Sequence, residues 1–247
     1  KFSEKRKNKA ESKRNKKKNG KFKNINTPTD TELNNLILLY KNKRFNEAEQ
    51  MARYITKRFP NHPFSWKVLG ITLQQTGRIN ESLPPIQKSV QLAPRDAEAH
   101  CNLGATLQEL RRFDEAEASC RQAIALKSDF AKAHSNLGGT LKELGRLDEA
   151  EASCRQAIAL RPDFAEAHGN LGNTYKALGK LDKAEASYAQ AIALQPDLAE
   201  AHSSLGATLK ELGKLEEAEA SCKRAIGLKP DFAEAHSNLG ATRKELG

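Results

Sequence analysis

Residues 97–130 read AEAHCNLGATLQELRRFDEAEASCRQAIALKSDF, and residues 131–164 read AKAHSNLGGTLKELGRLDEAEASCRQAIALRPDF. The two stretches agree at 26 of 34 positions. The string Ala-x-Ala-His recurs at His100, His134, His168, His202 and His236, each 34 residues after the last. The frame extends back with weaker identity to 63–96 and 29–62, and forward through 165–198 and 199–232 into a half unit at 233–247. A fixed period of this length marks stacked units, because one such unit cannot bury its own apolar face.

Each unit reads as two helices. In 131–164, Leu137, Leu141 and Leu144 make one helical stripe, and Gly145 breaks it. Asp148-x-x-Glu151 then has the form of a capping box, and Ala150, Cys154, Ala157, Ile158 and Leu160 give the second helix its apolar side. Pro162 ends that helix, and Asp163-x-x-Glu166 is expected to cap the next. Small residues recur in columns. Gly70, Gly104, Gly138, Gly172, Gly206 and Gly240 share position 8 of the unit; Ala48, Ala116, Ala150, Ala184 and Ala218 share position 20, with Ser82 in unit two; Ala123, Ala157, Ala191 and Ala225 share position 27. Glycine inside a helix costs about 1 kcal/mol against alanine, so six repetitions imply close packing of helices.

Leu at position 7, Gly at 8, Ala at 20 and 27 and Pro at 32, at this period, resemble the tetratricopeptide repeat (TPR). The resemblance covers 29–247. It implies an all-α solenoid, a right-handed superhelix of six full helix pairs plus one terminal helix, with first helices lining a concave surface that binds peptides or proteins.

Several residues depart from the pattern. Ser128 replaces Pro, and Arg111 replaces Gly at position 15. Pro84-Pro85 sit near the start of a second helix and are expected to delay or kink its first turn. Asn35-Leu36 stand where Leu-Gly is usual, which marks unit one as an atypical end cap. In the half unit Arg243 replaces a core Leu, so that helix is either a polar cap or the edge of a truncation.

No catalytic constellation emerges, and no cofactor or metal is implied. Helices pack about 8–10 Å apart, too far for the successive His residues to share one ion; with Trp66 at the same position, they read as half-buried spacers at the seams between units. Cys120, Cys154 and Cys222 alternate with Tyr188 at position 24, which means packing, whereas Cys101 is expected to be exposed. Asn80-x-Ser82 fits a glycosylation acceptor, but Asn80 also reads as a helix N-cap. The longest apolar run, residues 36–40, is far short of a membrane span, and no secretory signal follows the charged start; a cytoplasmic location is the expectation.

What remains is the concave face, with specificity expected from positions 2, 5, 6, 9, 12 and 13 of each first helix. Asn102, Asn136, Asn170 and Asn238, with Ser204 interrupting, form a column at position 6. Asn is a poor helix-interior residue, and its amide offers donors and an acceptor to the backbone of an extended peptide. The arrays of O-linked N-acetylglucosamine transferases carry a similar Asn ladder, so the chain resembles their substrate-recruiting region as well as a free-standing, non-catalytic scaffold. Lys142, Lys176 and Lys210 at position 12 and Glu98, Glu166, Glu200 and Glu234 at position 2 make the groove mixed in charge.

The formal charge of +10 lies elsewhere. Residues 1–28 hold 12 Lys/Arg and two Glu, while 29–247 hold 29 of each sign. This segment, with Lys16-Lys17-Lys18 and few apolar residues, is expected to be a disordered arm capable of weak polyanion contact.

Overall fold

The computed structural model describes residues 27–247. Among these there are thirteen α-helices and no strand. Helices α1 (Asp30–Lys41) and α2 (Phe45–Arg58) form the first pair, α3 (Pro63–Gln75) and α4 (Ile79–Leu92) the second, α5 (Ala97–Glu109) and α6 (Phe113–Leu126) the third. Then come α7 (Ala131–Glu143) with α8 (Leu147–Leu160), α9 (Ala165–Ala177) with α10 (Leu181–Leu194), and α11 (Ala199–Glu211) with α12 (Leu215–Leu228). The last helix is α13 (Ala233–Leu246). The array is thus the helix-pair solenoid that the period implied. The basic arm lies, but for its last two residues, outside the described part.

Each helix packs against the one before and the one after it. Beyond that, first helices also touch the first helices of neighbouring units, while second helices approach no other second helix. The first helices therefore occupy the inner, tighter layer of the stack. That asymmetry makes their free side the concave face.

Packing within a pair rests on a size exchange. At Gly104, Gly138 and Gly206 an added Cβ would lie 2.3–2.5 Å from the sulfur of Cys120, Cys154 and Cys222 respectively. At Gly70 it would meet Ile86 and at Gly172 the ring of Tyr188. Unit one inverts the arrangement: Leu36 is fully buried at position 8, and Ala52 is the small residue opposite. The atypical first unit is in this sense a complementary swap. Where Ala123, Ala157, Ala191 and Ala225 are buried, Ser89 of unit two leaves a buried hydroxyl with no partner among the described residues.

Four expectations need correction. Asp148 does not cap α8: the N-cap is Arg146, which makes no side-chain cap bond, and Asp148 lies within the first turn. The same holds at Asp163, because Phe164 is the N-cap of α9. A capping box does form at Thr29 and Glu32, and Asp96 caps α5 by accepting from the N–H of Glu98 and Ala99. Pro84-Pro85 do not delay α4, which starts at Ile79, the same unit position as its counterparts. Asn80 is not the N-cap of that helix, which is Arg78; it falls inside the first turn, and with Ser82 buried the glycosylation reading fails on geometry as well. Cys101 is buried, not exposed; it packs with Ala123 and Ala133, and burial pushes its thiol up to about 11.

Turns between the helices of a pair need the left-handed backbone. Gly145, Gly179 and Gly213 adopt φ of 70–75°, and Arg111 takes 59° at the same position without glycine's freedom.

Candidate functional site

The His column has a structural task. Nε2 of His100, His134, His168, His202 and His236 lies 2.8–3.1 Å from the carbonyl of residue 94, 128, 162, 196 and 230. Trp66 donates its Nε1–H to the Pro60 carbonyl at 2.8 Å in the same way. Indole nitrogen is only a donor, so the equivalent imidazoles serve as Nε2–H donors. Each ties a first helix to the turn that precedes it. The seam reading stands, and the bond survives at Ser128, where Pro is lost. No group of three metal-binding side chains occurs among the described residues.

Cys120, Cys154 and Cys222 are buried, and desolvation raises all three thiols, Cys154 to about 12. They are packing residues, not nucleophiles.

The Asn column lies at the seam between first helices. Asn136 donates its amide to the Cys101 carbonyl at 3.4 Å and approaches Cys101 Sγ at 3.5 Å. Asn170 donates to the Ser135 carbonyl at 3.3 Å and Oγ at 3.0 Å, and Asn238 to the Ser203 carbonyl at 3.4 Å and Oγ at 3.2 Å. Position 6 of one unit thus fastens to position 5 of the unit before, 35 residues back. Asn102 and Asn136 are 7 % and 4 % exposed; Asn170, Asn238 and Ser204 are half-buried. The amide nitrogens of Asn136, Asn170 and Asn238 are therefore engaged within the array. The side-chain Oδ1 atoms of Asn136, Asn170 and Asn238 accept no bond among the described residues, and they are what the column can offer an outside donor. Pairing columns 5 and 6 across units would have revealed this, since each stapling Asn follows a Cys or Ser at position 5.

The lysines at position 12 run in a second file. Lys176 pairs with Glu211 at 3.2 Å and Lys210 with Glu245 at 3.4 Å, each bridging to the next first helix. Lys142 pairs with its neighbour Glu143. All three are half-buried, so their charges are partly neutralised along the concave face. Of the position-2 glutamates, Glu98 is taken by Lys67.

An array of stacked helix pairs, with a polar inner face and seams closed by repeated side-chain bonds, defines a solenoid class of protein. Family models sharpen that class. One described as "TPR repeat" matches residues 138–179 and 172–213, and one described as "Tetratricopeptide repeat" matches 97–130 and 199–232. Together they span more than half the chain, which belongs to the tetratricopeptide repeat family. Among solved structures, a thermophilic TPR protein of Thermus thermophilus is 25% identical with a TM-score of 0.67, covering 74% of this chain and 100% of its own. The hetero-tetramer Cut9-Hcn1 of the APC/C is 16% identical at a TM-score of 0.79, covering 86% of this chain and 42% of that one. YrrB, described as a TPR protein with an unusual peptide-binding site, is 20% identical at 0.50, covering 75% of this chain and 96% of its own. No curated protein sequence matches the chain. None of these relatives is a glycosyltransferase, and that resemblance rests on the Asn column alone.

Proposed function

We propose that this chain is a non-catalytic interaction scaffold that holds an extended peptide, or an extended segment of a protein, along its concave face. The observation that carries this reading is the packing asymmetry. First helices touch one another and second helices do not, so α1, α3, α5, α7, α9, α11 and α13 present one continuous inner surface. Unbonded Asn carbonyl oxygens recur along it. A peptide in extended form exposes backbone N–H donors at a regular interval, and these acceptors suit them whatever the side chains. Binding of a peptide by YrrB is consistent with such use of the fold.

Placement of a benzophenone amino acid tests the face. Photocrosslinking from Ala105 of α5 and Lys142 of α7 is expected to trap the partner, whereas Ala159 of α8 and Ala193 of α10, both exposed on second helices, should not. Equal or stronger trapping from the second helices refutes the concave site.

A further inference from the structure

The amide fastening is missing at three seams. Between units one and two the paired positions hold Leu33 and Val68, both apolar. Between units two and three, Asn102 faces Lys67, whose ammonium pairs with Asp96 at 2.9 Å and Glu98 at 2.6 Å and so closes the gap by charge. Between units five and six nothing replaces it. Gly169 stands at position 5, where Cys101, Ser135, Ser203 and Ser237 stand in other units, and Ser204 stands where the column has Asn. Leu198 takes the place of Phe130, Phe164 and Phe232. Three reductions in size thus coincide at one seam, and α9 and α11 approach less closely there than α7 and α9 do.

A pocket of about 220 Å³ opens between α9 and α11 on the concave side. It is below the roughly 300–1,000 Å³ of sites for drug-sized ligands, and is scaled to a single side chain. Leu198 gives it an apolar wall and Tyr188 a floor. That ring lies against Gly172, where an added Cβ would meet it at 2.6 Å, and its hydroxyl donates to Asn173 Oδ1 at 2.8 Å. Burial raises the phenol's pKa, so it stays neutral. Asn170 and Ser204 also line the space, and the amide nitrogen of Asn170 is already bonded to Ser135, which leaves its Oδ1 as the free polar atom.

The rim carries Glu166 and Glu200. Glu166 has no ion-pair partner among the described residues, and Glu200 has only Lys229 at 3.6 Å. Apart from Lys229, the neighbouring cations are engaged elsewhere. His168 and His202 are bonded to turn carbonyls, and Lys176 and Lys210 to Glu211 and Glu245. Apart from the Asn173 amide and the Ser204 hydroxyl, the polar groups facing the pocket are acceptors or carboxylates above an apolar wall. A lysine or arginine side chain has the matching form: an aliphatic stem ending in a cluster of donors with positive charge.

We infer that the seam between units five and six is an anchor pocket for one basic side chain of the extended ligand. The inference rests on the concave face being the peptide-binding surface, and adds to it a register and a side-chain preference.

The test is to pan the full chain against a random dodecapeptide library and to sequence what it retains. Wild type is expected to enrich peptides with a lysine or arginine at one fixed place. In a resynthesised winner, replacing that residue by norleucine should weaken binding about tenfold, the scale of one charge-assisted hydrogen bond, and added salt should weaken the basic peptide more than the norleucine one. Ser204→Asn should abolish the preference. It restores the residue of the other units, with the residue 169 carbonyl as its staple partner, so the variant keeps its fold. Glu166→Gln with Glu200→Gln should reduce the preference without filling the space. Enrichment with no basic preference, or a preference unchanged in Ser204→Asn, overturns the pocket and leaves the groove standing. Absence of any enriched peptide counts against the groove itself.

Discussion

Gly138 sits where α7 crosses α8, and a Cβ there would lie 2.3 Å from Cys154 Sγ and 3.2 Å from the Ala150 carbonyl. The sulfur is buried and the carbonyl belongs to a helix, so neither has room to withdraw. Gly240 occupies the same unit position in α13, yet an added Cβ would find nothing within 4 Å. Opposite outcomes follow from one substitution at two equivalent places. Gly138→Ala should destabilise by about 1–3 kcal/mol through overpacking, and Gly240→Ala should stabilise α13 by up to about 1 kcal/mol through helix propensity. Urea unfolding of the first and amide exchange within α13 for the second would show it; a neutral Gly138→Ala would undo the size-exchange account. The glycine column announced close packing in the sequence. Position 24 also read as a packing column, but not as the partner of the glycines, because the two columns lie on different helices and only the fold brings them together. The Asn column was legible in the same partial way. The residue type and its inner location were plain, but its bond to a residue 35 positions earlier was hidden from a search at a period of 34.

Helix starts were the least legible elements. Asp148-x-x-Glu151 satisfies the capping pattern, but Asp148 is already helical, and Arg146 turns its guanidinium onto Glu149 at 2.6–2.7 Å instead. Arg146 also reaches back to Glu117 of the preceding unit at 2.6 Å. Equivalent rungs join Arg78 to Glu49, Lys180 to Glu151 and Lys214 to Glu185. The seam where Leu83 replaces the glutamate has no such rung. Burial raises the carboxyl pKa values of Glu49, Glu117 and Glu151, but the bonds and charges of their basic partners outweigh it and hold all three below the ordinary 4.5. Groups depressed on folding contribute stability that is present above that ordinary value and lost as pH falls through the folded ones. The rail should therefore support the array at neutral pH and weaken as the pH falls below 4.5. Glu117→Gln is expected to lower the urea midpoint at pH 7 and to converge with wild type in acid; a constant difference between the two across that range would show that the ion pair is not the cause.

At the scale of the whole molecule, the chain divides its charge and its work. The excess of ten positive charges belongs to residues 1–28, and the array that follows carries as many acids as bases. Its inner face is correspondingly mixed: Lys176 and Lys210 are tied to the next unit, Lys142 to its neighbour Glu143, and Glu166 has no ion-pair partner among the described residues. The period alone made the solenoid legible. Near-identical units, by contrast, say little about a ligand, and the informative places are those where a unit breaks its own pattern, as Gly169, Leu198 and Ser204 do together. The central claim is that an extended peptide lies along the first helices. Amide chemical-shift mapping of a library-selected peptide onto the full chain tests it most directly. Perturbations confined to α5, α7, α9 and α11, stepping from unit to unit at positions 2, 5, 6, 9 and 12, are the predicted result. Perturbations centred on α6, α8, α10 and α12, or on the turns between units, would contradict it.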